Sequence, residues 1–308
     1  MEKRKLGKSN IWVSKMGLGC MSLGTDEEKA AGIIETAIDE GINYFDTADL
    51  YDYGVNEEIV GKTLAPIRDK VIIATKVGNR WNEQKDGWRW DPSKQYIKEA
   101  VKSSLRRLKT DYIDLYQLHG GTIEDPIDET IEAFEELKAE GLIRYYGISS
   151  IRPNVIREYV NRSSIVSIMM QYSLFDRRPE EIMPLLKGNG VSVVTRGSVA
   201  KGLLSDKMLG LTEEQFEGKN YPDYSSREIY EFVESAKAKL LNQSDRTLNE
   251  LALQFNLSNE TVAAVVVGAS SIEQVKDNAR AVNSRPLSDE EKGILALLTK
   301  KGRYSTHR

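Results

Sequence analysis

Eight short runs rich in valine and isoleucine recur along the chain, each separated from the next by an amphipathic stretch. A period near two that alternates with a period near 3.6 restricts the fold to βαβ units around a parallel sheet. The predicted strands span residues 15–20, 43–46, 71–75, 112–119, 143–148, 166–171, 191–195 and 262–267. The last reads Val-Ala-Ala-Val-Val-Val, apolar on both faces, as a strand covered from both sides must be. Helices are predicted over 27–40, 57–64, 93–108, 126–140, 153–160, 179–188, 228–241 with 246–256, and 272–282. Asp91-Pro92 and Asp125-Pro126 each set a capping carboxylate before a proline at a helix start, and Gly41 and Gly141 stand where a helix needs a left-handed stop.

The competing arrangement is an open, doubly wound sheet, which would carry a glycine-rich first turn. Here that turn reads Gly17-Leu18-Gly19-Cys20-Met21-Ser22, with serine where the third glycine belongs. The chain has no GxxxxGK[ST] or GxSxG, and Gly7-Lys8-Ser9 lacks the upstream glycine of a phosphate loop. Eight strands suffice to close a ring. The expectation is therefore an α/β fold of the (β/α)8 TIM-barrel type, with eight parallel strands and a single domain over residues 1–308, since no repeat, low-complexity tract or linker divides the chain.

Composition narrows the partners. Net charge is −4 and no basic run exceeds three residues, so neither nucleic acid nor an anionic membrane surface is an expected partner. The charged start has no apolar stretch of signal length behind it, and nowhere do about 18 apolar residues run together, so the protein is expected in the cytoplasm. One cysteine, Cys20, excludes an internal disulfide, and with only His119 and His307 as imidazoles no metal site is expected.

Side chains at the carboxyl ends of barrel strands converge on one mouth, and polar residues there stand out against apolar strands. Asp46, Lys76 and His119 each end a predicted strand, and Tyr51 lies in the loop that follows Asp46. Singly, each has an ordinary explanation as solvated charge or packing. Together they suit carbonyl reduction, in which hydride addition leaves an alkoxide that a nearby acid must protonate. A phenol is a weak acid, so an ammonium beside Tyr51, supplied by Lys76, is expected to lower its pKa, while Asp46 offsets the burial of Lys76 and His119 donates a hydrogen bond to the substrate oxygen.

The segment Phe45-Asp46-Thr47-Ala48-Asp49-Leu50-Tyr51 through Asn56-Glu57-Glu58-Ile59-Val60-Gly61, followed by Ala74-Thr75-Lys76 and Asp114-Leu115-Tyr116-Gln117-Leu118-His119, resembles the catalytic tetrad of the aldo-keto reductase family. The similarity runs from Gly17 to Asn278, in a bacterial-type pattern near the branch that includes potassium-channel beta subunits. It implies NAD(P)H-dependent reduction of aldehydes or ketones, with Asp46, Tyr51, Lys76 and His119 catalytic and Tyr51 the general acid. It also implies that Gly19, Cys20, Met21 and Asp46 border the cofactor, that Ser149, Ser150 and Gln171 hold the nicotinamide amide, and that Gly197, Ser198, Gly202 and Leu203 follow its backbone. Arg196 occupies the place of the aromatic residue that stacks on nicotinamide in the family; a guanidinium can stack there or reach a carboxylate or phosphate.

Gly268, Ser270, Gln274 and Asn278 resemble the adenosine end, and Lys207, Ser270 and Gln274 resemble the set used by the channel-subunit branch, which implies NADP(H), with NAD(H) the alternative. The tryptophan-bearing segment 79–91 is expected to wall the substrate pocket, and the segment 207–227 to fold over the cofactor. Two rival readings are a Schiff-base aldolase using Lys76 and a cofactor-binding regulator of a protein partner. A small carbonyl substrate is the expected partner, for a monomer or small homo-oligomer.

Overall fold

The computed structural model describes residues 1–308. At its centre a closed barrel of eight parallel strands comprises β1 (Met16–Gly19), β2 (Tyr44–Asp46), β3 (Ile72–Val77), β4 (Ile113–Leu118), β5 (Ile143–Ser149), β6 (Ser167–Gln171), β7 (Ser192–Arg196) and β8 (Val262–Gly268). Each strand pairs with the next in sequence, and β8 closes on β1 with Val265 opposite Met16 and Gly268 opposite Gly19. The predicted (β/α)8 TIM barrel is the observed fold.

The outer layer consists of α1 (Glu27–Asp39), α2 (Val55–Leu64), α3 (Lys94–Leu108), α4 (Ile127–Ala139), α5 (Pro153–Arg162), α6 (Met183–Gly188), α7 (Ser226–Ala236), α8 (Leu248–Leu257) and α9 (Ile272–Asn283), with α10 (Asp289–Leu298) packed outside. Helix α1 shows why these segments fold so: Asp26 accepts from the Lys29 amide, and Ala30, Ile33, Ile34 and Ala37 bury one stripe. Gly41 (φ 82°) and Gly141 (φ 76°) are the left-handed stops expected of them. No helix is long and apolar enough to cross a membrane.

The expected caps differ. Ser93, not Asp91, caps α3 by accepting from Tyr96, while Asp91 accepts from Ser93. Asp125 instead accepts from the Thr122 amide in the preceding turn at 2.7 Å and from the distant Trp90 Nε1 at 3.0 Å, and α4 has Pro126 at its N-cap, without a side-chain cap. In both cases a carboxylate before proline is taken up by donors outside the first turn of the helix.

Two hairpins and α10 were not anticipated. An N-terminal hairpin pairs Lys3–Lys5 with Trp12–Ser14 and plugs the amino-terminal end of the barrel, where Leu6, Ile11 and Val13 join a buried interior cluster with Tyr44, Ala74, Leu115, Met169, Val194 and Val266. Gly7 at its tip has φ 54°, and a Cβ there would lie 2.1 Å from the Val166 carbonyl oxygen, so only glycine fits this approach. The second hairpin pairs Asn79–Trp81 with Trp88–Trp90 at the opposite mouth.

Candidate active site

Side chains alternate along a strand, so residues two apart share a face. Tyr44, Ala74 and Leu115 fill the barrel interior, and two residues nearer the carboxyl ends the same inner face carries Asp46, Lys76 and Gln117, with His119 next. A polar layer thus sits on an apolar floor. Lys76, 1% exposed, places all its donors: Asp46 Oδ1 at 2.5 Å, the Thr47 carbonyl oxygen at 2.8 Å and Tyr51 Oη at 3.3 Å. Gln117 Nε2 donates to the other Asp46 oxygen at 3.4 Å. A buried ammonium with this set is stable only while the carboxylate stays paired with it.

Tyr51 returns over the mouth by an uncommon backbone route. Asp52 (φ 48°), Tyr53 (φ 51°) and Gly54 (φ 92°) are successively left-handed, which costs about 1–2 kcal/mol for each residue with a Cβ. Buried polar contacts hold the loop. Arg107 lies against the bare face of Gly54 and bonds Glu57 at 2.7 Å, while Asn56 accepts from Thr47 Oγ1 and donates to the Cys20 carbonyl. The Tyr51 ring stands edge-on to His119 at 5.9 Å, with Lys76 Nζ 5.0 Å from its centroid.

Burial dominates the protonation of the group. It pushes the Asp46 carboxyl up against the opposing pull of Lys76; Lys76 itself, although burial opposes its charge, is held above its usual value by Asp46 and Tyr51. Tyr51 departs from expectation. Burial raises its pKa, and Lys76 does not overcome this because Asp46 offsets the ammonium, so the phenol keeps its proton. Burial, with Lys76 and Arg196, depresses His119 to about 3, leaving a neutral imidazole. Its Nδ1 is buried without a partner, which favours the tautomer with hydrogen on Nε2, the nitrogen left to the cleft.

The four residues open onto a cleft of about 1680 Å³ at the carboxyl end of the barrel. That exceeds the roughly 300–1,000 Å³ of pockets for drug-sized ligands and suits a dinucleotide. The strand ends contribute Gly19, Asp46, Ser149, Gln171, Arg196 and Gly268, and the loops that follow contribute Met21, Ser150, Gly197, Ser198, Gly202, Leu203 and Lys207. Gln274 and Asn278 reach it from α9. Cys20 and Ser270 are not on its wall: the Cys20 side chain is fully buried against the Leu18 carbonyl, and Ser270 is exposed beside Gln274, whose Oε1 accepts from its amide and hydroxyl. Trp88 and Trp90 line the mouth as expected, but Trp81 turns away to stack edge-on with Tyr53. Lys207, Lys219 and Tyr221 bring the 207–227 connection to the cleft.

Several contributors escaped the sequence reading. Gln117 had a usable signal, lying two residues before His119 on the same strand face. Arg152 and Tyr221 had none: Arg152 reaches the Gly121 carbonyl from the loop after β5, and the Tyr221 hydroxyl meets Gln171 Nε2 at 3.0 Å across fifty residues of chain. No three His, Cys, Asp or Glu side chains cluster as metal donors.

Residues 15–298 match the profile of the aldo/keto reductase family. The holo form of aldo-keto reductase AKR11C1 from Bacillus halodurans is 60% identical and superposes with a TM-score of 0.94, over 100% of this chain and 99% of that one. The uncharacterized oxidoreductase YqkF of Bacillus subtilis is 59% identical, with both chains fully covered. The NADH-specific methylglyoxal reductase of Escherichia coli is 32% identical over 96% of this chain and 97% of its own.

Proposed function

The chain belongs to the aldo/keto reductase family and is an NAD(P)H-dependent oxidoreductase, and on that premise we propose that it reduces aldehydes or ketones to alcohols, preferring NADPH, with Tyr51 as general acid. The observation that carries this reading is the Tyr51 hydroxyl, 3.3 Å from the buried Lys76 ammonium, with its ring edge-on to His119 on the same cleft.

When bound, the nicotinamide supplies the hydride. Asp46, Tyr51, Lys76 and His119 handle the oxygen. His119 Nε2–H donates to the carbonyl and orients it; Tyr51 gives up its proton as charge develops there; Lys76 stabilises the resulting phenolate; and Asp46, steadied by Gln117, keeps Lys76 charged. Lys76 suits this task better than Schiff-base chemistry, because a charged amine with every donor engaged is no nucleophile. Ser149, Ser150 and Gln171 offer polar atoms for the nicotinamide amide, Gly19, Met21, Gly197, Ser198, Gly202, Leu203 and Gly268 a close-fitting wall, and Asn278 a polar group for the adenosine. Lys207, Gln274 and the amino terminus of α9, with Ser270 beside them, suit a 2′-phosphate. The barrel acts as one cytoplasmic unit over residues 1–308, without a metal.

Fluorescence titration with NADPH and NADH, followed by oxidation of the preferred cofactor with a panel of small aldehydes, tests the proposal. Replacing both Lys207 and Gln274 by alanine should weaken NADPH by about 1–3 kcal/mol and spare NADH. Equal weakening of both cofactors would place these residues on the shared part of the molecule, and binding without turnover on any carbonyl would remove the catalytic assignment.

A further inference from the structure

We propose that Arg196 makes the site discriminate between the redox states of the nicotinamide, holding the neutral reduced form more tightly than the cationic oxidised one; the proposal rests on the nicotinamide-dependent reading above.

Arg196 ends β7 on the inner face, two residues beyond the interior residue Val194 and in register with Gln171 of β6, and it lines the cleft that holds Tyr51, Lys76 and His119. Its one side-chain bond is from Nη1 to the neutral Gln171 Oε1 at 3.0 Å. It makes no ion pair, and the two carboxylates of the adjoining network are engaged elsewhere. Gln171 passes on to Asp176, but Arg178 already grips Asp176 in two bonds of 2.8 and 2.7 Å, and Asp46 is bound to Lys76. With the Asp46–Lys76 pair balanced, the guanidinium is an uncompensated charge on the strand end beside the reaction site, while Arg152, also without an ion pair, meets the Gly121 carbonyl from the loop after β5. Arg196 acts on Asp46, Tyr51 and His119.

Hydride transfer requires the reacting carbons within about 3–3.5 Å of each other, and the carbonyl oxygen must lie within hydrogen-bond reach of Tyr51. The redox-active ring therefore sits among the groups on which Arg196 already acts. The two cofactor forms differ there by one positive charge and one hydride, while pyrophosphate, riboses and adenine are the same. Arg196 is exposed at the mouth, so solvent screens its charge in part, yet a cation facing the ring still raises the energy of the oxidised form and leaves the reduced ring nearly untouched. Oxidised cofactor leaves readily as a result, which favours turnover in the reducing direction.

The test uses the full chain with Arg196→Gln and Arg196→Lys and measures equilibrium Kd values for NADP+ and NADPH by fluorescence titration at low salt. In Arg196→Gln the ratio Kd(NADP+)/Kd(NADPH) should fall ~5-fold or more, and Arg196→Lys, which keeps the charge, should retain most of the wild-type ratio. Equal changes for both forms in Arg196→Gln would reduce the residue to a shape or hydrogen-bonding role and overturn the proposal, as would an Arg196→Lys ratio matching that of Arg196→Gln. Failure of the wild type to bind either form would sink the nicotinamide reading itself, whereas binding with an unchanged ratio would sink this inference alone.

Discussion

Replacing Tyr51 by phenylalanine removes one oxygen and leaves the ring that stands edge-on to His119 and faces Lys76 Nζ at 5.0 Å. The lost bond is the longest of the three that Lys76 makes, 3.3 Å against 2.5 Å to Asp46 and 2.8 Å to Thr47, so stability should change by no more than about 0.5–1.5 kcal/mol. The chemical effect is larger. Loss of a general acid lowers the rate by about 10²–10⁴, or about 2.7–5.5 kcal/mol in barrier height. Reduction needs the protonated phenol, and burial raises the Tyr51 pKa, so wild-type activity should persist at neutral pH and fall only as pH rises beyond the usual phenol value; the variant should lack that alkaline limb. Single-turnover consumption of bound NADPH across pH, beside urea unfolding, reads both effects. Turnover within threefold of wild type, or a variant that keeps the alkaline limb, would refute the assignment of Tyr51.

Lys76→Met strands the Asp46 carboxylate in a site where it is 3% exposed, so urea unfolding should show a loss of about 3–5 kcal/mol, and adding Asp46→Asn should recover part of it; a single variant as stable as the double would contradict the pairing argument. For His119 the folded pKa, about 3, lies below the unfolded value near 6.5, so its contribution is present above pH 6.5 and is lost as pH falls toward 3. Stability of the wild type should therefore drop between pH 7 and 5 more steeply than that of His119→Gln, by up to about 1.4 kcal/mol per unit, and parallel curves would show the imidazole is not desolvated. Asp52→Gly relieves one left-handed residue at the cost of glycine's greater freedom when unfolded, for a net gain of up to about 1 kcal/mol in chemical denaturation; destabilisation would mean the Asp52 side chain makes contacts worth more than the strain.

The barrel was legible because each strand run carried its own period, and closure followed from their number. The polar layer of the candidate site was legible for a related reason: Asp46, Lys76 and His119 are polar residues at the ends of apolar strands, and the first two are buried there. The N-terminal hairpin was not, since strands of three residues show no period and their burial depends on a barrel floor assembled from distant segments. Helix α10 carries a sequence signal of its own, the Ser288–Glu291 capping box. The raised pKa of Tyr51 lay beyond sequence reasoning, because it depends on how far Asp46 cancels Lys76 at a given depth, and the pairing of Arg196 with Gln171 depends on register between two strands.

The seam between β8 and β1 joins Met16 to Val265, ~250 residues later, and Arg4 of the plug donates to the Leu257 and Val262 carbonyl oxygens. During synthesis, at roughly 5–20 residues per second, the opening strand therefore waits on the order of ten seconds to a minute for its neighbour. Through that interval β1 is an unprotected edge and the hairpin has no floor to seal, so the nascent chain is most exposed to misassociation just before its last strand emerges. The candidate site inherits the same delay: Gly19 and Asp46 pair early across β1 and β2, yet the mouth they border gains its Gly268 wall only when the ring shuts.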